Sequence, residues 1–136
     1  MIDPEYINIP AVIVAAVLPF LLGGLWYSPL LFGKVWMNAN NFTEEDIENS
    51  NQTKKFAFSF LFFLLMSANL AGFLASPDTD LQFAILAGFL AGFGWVALGF
   101  GVIALFEMRS WKYIFINGGF MVVAFLLMGA VLGAWR

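Results

Sequence analysis

The chain has 136 residues, enough for one domain, with 62% hydrophobic and only 11% charged residues and a net charge of −3. A soluble domain carries about 25% charged residues, so this balance argues against a water-soluble globule, and six scattered Lys and Arg argue against a nucleic-acid surface. There is no Cys and no His, which removes disulfides, thiolate chemistry and the commonest general base and metal ligand.

The acidic N-terminus, Met1 to Glu5, lacks the basic region of a secretory signal peptide, so the first apolar run is expected to be a retained helix. That helix is predicted from about 10 to 26, with Asn8 or Ile9 as N-cap and Pro10 in the first turn, where its missing N–H costs nothing. Pro19 lies inside it and removes a hydrogen bond to Ala15, so a kink is expected there, as a packing feature or a hinge. Ser28-Pro29 ends the helix, because the residue before a proline is pushed out of the helical region. Leu30 to Met37 is too short to span a bilayer. It is predicted to lie in the interface or re-enter the membrane, with Lys34 snorkelling and Trp36 anchoring.

Thr43-Glu44-Glu45-Asp46 reads as a capping box, with Phe42 and Ile47 at the positions of a hydrophobic staple. A short polar helix from about Glu44 to Ser50 follows. Further spans are predicted at about 54–75, 81–106 and 111–135, each long enough to cross a bilayer. Thr79 or Asp80 is expected to cap the third. The fold class is therefore all-α: one domain over 1–136, an integral membrane four-helix bundle. An interfacial or re-entrant segment and a short polar helix occupy the loop of about 28–53.

Lys34, Lys54, Lys55, Arg109 and Lys112 fall on one side of this topology, and Arg136 is the sole base on the other. Bases near span ends favour the cytoplasm, so both termini are expected on the non-cytoplasmic side.

Leu25-Trp26-Tyr27-Ser28-Pro29-Leu30-Leu31-Phe32-Gly33-Lys34, followed by Trp36-Met37, resembles the hallmark of a bacterial family known as domain of unknown function 1761. Thr43 to Ile47, Leu105-Phe106-Glu107 with Arg109, Ile116-Asn117 with Gly119, and Met128 to Gly133 fit the same pattern along nearly the whole chain. The resemblance implies a small four-helix protein of the bacterial cytoplasmic (inner) membrane, and no activity.

Candidate residues fall into three groups. The corner holds Trp26, Tyr27, Pro29, Gly33, Lys34 and Trp36, expected to pack near Glu107 and Arg109. Those two are either a capped, solvated helix end or a buried pair that, with Lys34 or Lys112 nearby, binds an anionic lipid headgroup or substrate. Asn69 and Asn117 are amides inside spans, either interhelical glue or part of a polar path or ligand site. The third group is the small face of Ala84, Ala87, Gly88, Ala91 and Gly92, with Trp95 near its middle, expected to meet the fourth span or a second copy. No cofactor, metal or nucleic-acid partner is expected. With no paired intramembrane carboxylates, an enzyme is not expected either. Two function classes remain: an interaction or scaffold protein working through helix–helix contacts, expected as a homo-oligomer in the bilayer, and a small transporter or channel.

Overall fold

A computed structural model describes residues 2–136. Every element of regular structure among them is helical: a short 3-10 turn (Pro4–Tyr6), α1 (Ile9–Trp26), α2 (Gly33–Asn40), α3 (Glu44–Asn49), α4 (Gln52–Phe73), α5 (Leu81–Ala91), a π turn (Gly92–Ala97), α6 (Leu98–Phe106) and α7 (Trp111–Ala134). α1, α4, the unbroken third helix Leu81–Phe106 and α7 are long and apolar enough to cross a membrane.

Local chemistry sets each helix start. Asn8, Thr43, Asn51, Asp80 and Ser110 each accept a backbone N–H of the first turn on their side chains. Thr43 and Asp46 close the capping box reciprocally, at 3.1 and 2.9 Å. α1 continues through Pro19, which is fully buried.

α7 is the hub. It is the most buried of the four spans, with α1, the third span and α2 all packed on it. α4 packs mainly on α1, where the buried Ser67 hydroxyl donates to the Val12 carbonyl at 2.8 Å. Such a bond contributes about 0.6–2 kcal/mol in lipid.

The third span meets α7 through missing side chains. A Cβ on Gly88 would strike the Phe125 carbonyl, and one on Gly129 would strike the Ala84 carbonyl. A Cβ on Gly92 would stand 2.7 Å from that of Phe125. The small stripe is thus used within the chain. Its spacing is informative: Ala84, Gly88 and Gly92 are followed by Ala97 against Gly118, Gly101 against Ile114, and the buried Ala104. The step from Gly92 to Ala97 is five residues, as a π turn requires. Of the two contacts expected for Trp95, this removes the fourth span. On an uninterrupted helix it would share the face of Gly88 and Gly92. The extra residue rotates it away from α7, and it is 81% exposed.

At one end of the bundle the chain termini and the α4–α5 turn gather. Asp3 N donates to Ala75 O, and Arg136 donates to the carbonyls of Leu74 and Ser76 at 2.8 and 2.6 Å. That base therefore ties the C-terminal end of the chain to the turn that follows α4.

Candidate functional site

The opposite end holds the corner. Ser28-Pro29-Leu30-Leu31 is a turn closed by Leu31 N to Ser28 O at 3.1 Å, with Pro29 in the position its fixed φ suits. Gly33 N also reaches Ser28 O, at 2.9 Å, and the backbone folds so tightly that a Cβ on Gly33 would lie 2.7 Å from the Ser28 carbonyl. This reversal starts α2 and lays it along α7. Pro29 and Lys34 are exposed and shape the turn from outside.

The side chains of the corner reach α7 in register. Trp26 Nε1 donates to the Ile116 carbonyl at 2.9 Å, and its ring rests on Gly119. Tyr27 donates its hydroxyl to Asn117 Oδ1 at 2.5 Å, and Asn117 Nδ2 donates back to Tyr113 O at 3.0 Å. Burial, with the Tyr113 phenol adding to it, pushes the Tyr27 phenol above its ordinary range, so it stays a neutral donor. Trp36 packs edge-on against Tyr27 and Phe42, at 5.3 and 5.5 Å between ring centres.

Between these groups lies a cavity of about 410 Å³. One wall is Trp36 and Asn40, four apart on α2. The facing wall is Tyr113, Asn117 and Phe120 on α7, a stripe at helical spacing, with Phe100 of α6 beside it. The walls are aromatic, and the polar groups are two amides and two phenols.

Two non-glycine residues in the left-handed region end helices at this end of the bundle. Asn41, at φ 56°, ends α2 and turns Phe42 back over Trp36. Met108, at φ 58° and 91% exposed, ends α6 and turns Arg109 inward. Such a φ is unfavourable for a side chain like Met. Arg109 then donates to Asn40 Oδ1 and stacks on the Tyr113 ring, 3.9 Å from its centre. The expected neighbourhood of the corner and Arg109 is therefore present, but Glu107 lies exposed at the end of α6 and joins none of these contacts.

The other candidates lie elsewhere. Asn69 is exposed on α4. With Trp95 it lines a second, larger groove of about 810 Å³ between α4 and the third span. Gly88 and Gly92 form the α7 contact. Asn40, Phe100, Tyr113 and Met121 were not singled out from the sequence. The α7 stripe 113, 117, 120, 121 was legible in principle, but it is hidden in a helix that is apolar on every side.

A family model described as Protein of unknown function (DUF1761) matches residues 10–133. No curated protein and no solved structure matches the chain.

Proposed function

The chain belongs to the DUF1761 family, and on that premise we propose that it is a membrane-embedded binding protein, a small carrier or receptor, for an amphipathic molecule held in the aromatic cavity at the corner. The observation that carries this is the cavity itself: about 410 Å³, walled by Trp36, Tyr113 and Phe120, with the Tyr27–Asn117 pair inside it. Concave apolar pockets with a few convergent polar groups are the usual form of small-molecule sites. The reading is one of binding rather than catalysis. It places the cavity at the cytoplasmic face of a bacterial inner membrane, from the basic residues gathered at that end.

The test is tryptophan quenching. A brominated amphiphile added to the protein in mild detergent is expected to quench Trp36 saturably in a chain whose other Trp are replaced by Phe. Quenching that rises linearly with probe, as for any lipid-facing ring, would remove the cavity as a site.

One observation favours a second reading, that of a helix-binding scaffold or homo-oligomer. The groove between α4 and the third span leaves Asn69 without a neighbouring helix at span depth. An amide in hydrocarbon gains from an interhelical partner, and a second copy offers the same amide.

A further inference from the structure

We propose that the ligand of the corner cavity is anionic, with its carboxylate or phosphate held by Arg109 at the rim and its apolar body between the aromatic walls. This rests on the binding reading above and adds the charge of the ligand to it. Arg109 is half-buried and held on two of the residues that line the cavity, the Asn40 amide and the Tyr113 ring, both neutral. A guanidinium in a poorly hydrated setting favours a carboxylate or phosphate, which its planar fork can bind in bidentate fashion. The bond to Asn40 uses Nη2, leaving donors on Nε and Nη1 to spare among the described residues. The stack on Tyr113 fixes the plane of the fork against the cavity wall, and the left-handed Met108 holds the backbone that delivers it. The anion has two sources of the same chemistry: an acidic lipid of the adjoining leaflet, or a water-soluble aromatic acid.

The experiment titrates the purified full chain in neutral detergent with 1-naphthoate, 1-naphthol and phosphatidylglycerol, with binding read by native mass spectrometry and tryptophan fluorescence. Arg109→Gln keeps a donor for Asn40 and removes the charge, whereas Arg109→Lys keeps the charge and loses the planar stack. The expected result is a preference for the anion over naphthol, lost by about tenfold or more in Arg109→Gln, the scale of one charge-assisted hydrogen bond, and only partly retained in Arg109→Lys, which keeps the charge without the planar fork. Arg109-dependent binding of naphthoate assigns a soluble source. Arg109-dependent binding of phosphatidylglycerol alone assigns the leaflet. Equal binding of naphthol and both anions, unchanged in Arg109→Gln, overturns the anionic ligand and leaves the cavity reading standing. Binding of none of the three overturns both.

Discussion

Replacing Gly88 by Ala places a methyl group on the backbone of α7. Its Cβ would overlap the Phe125 carbonyl oxygen and stand 3.2 Å from that carbonyl carbon and 3.4 Å from Gly129 Cα. Carbon atoms rest at about 3.5–4.0 Å, and no flexible side chain is present to give way. The third span and α7 must therefore separate by on the order of 1 Å, loosening the neighbouring close contacts. Overpacking costs about 1–3 kcal/mol, and rigid backbone on both sides places this case near the top. The better helix propensity of Ala returns about 1 kcal/mol, so a net loss of about 2 kcal/mol is expected. Gly129→Ala, which strikes the Ala84 carbonyl, is relieved by the same separation. The double variant should accordingly be more stable than the sum of the singles predicts, by about 1 kcal/mol. Gly99→Ala meets nothing within 4 Å, and should be neutral or slightly stabilising. Reversible unfolding in mixed micelles measures all four. A silent Gly88→Ala, or full additivity in the double variant, would refute the direct backbone contact.

Tyr27→Phe leaves Asn117 Oδ1 without its donor and should lower stability by about 1–3 kcal/mol in the same assay. Met108→Gly relieves a left-handed backbone and is expected to be neutral or stabilising by up to about 1 kcal/mol, measured likewise, provided Gly keeps the turn. Asp46 is held below the usual carboxylate range by its hydrogen bonds from Thr43, backbone first. Its contribution to α3 is thus present above the unfolded value and lost as pH falls through the lower folded one, and hydrogen exchange across 44–49 should rise in that window, but not in Asp46→Asn. For topology, Asp78→Cys should be labelled from outside the cell and Asn49→Cys only after permeabilisation. If copies associate, Asn69→Leu should lower the oligomer mass in nanodiscs, while Gly92→Leu should act on folding first.

The hydropathy of the chain made the four spans plain, because twenty-residue apolar runs have few other uses. Caps at Asn8, Thr43 and Asp80 were readable for the same reason: each is a short polar side chain before an apolar run. The corner was legible as a cluster, from its concentration of rigid and aromatic residues, but the partners that Arg109 takes, Asn40 and Tyr113, were not. What escaped was rotational. In lipid, a helix shows no polar face to mark its outside, so Asn117 was noticed alone, and neither the hub role of α7 nor the pairing of Asn117 with Tyr113 on one stripe stood out. The π turn escaped too. The five-residue step from Gly92 to Ala97 is visible only once it is known which small residues meet α7. Trp95 was misplaced as a direct result.

The most direct test is an experimental structure of the protein in lipid nanodiscs, at a resolution that shows bound small molecules. The expected result is density filling the cavity between Trp36, Tyr113 and Phe120, with its polar end at Arg109. A cavity closed by the rings of Trp36 and Phe100 packed directly on α7, with no room for a ligand, would contradict it.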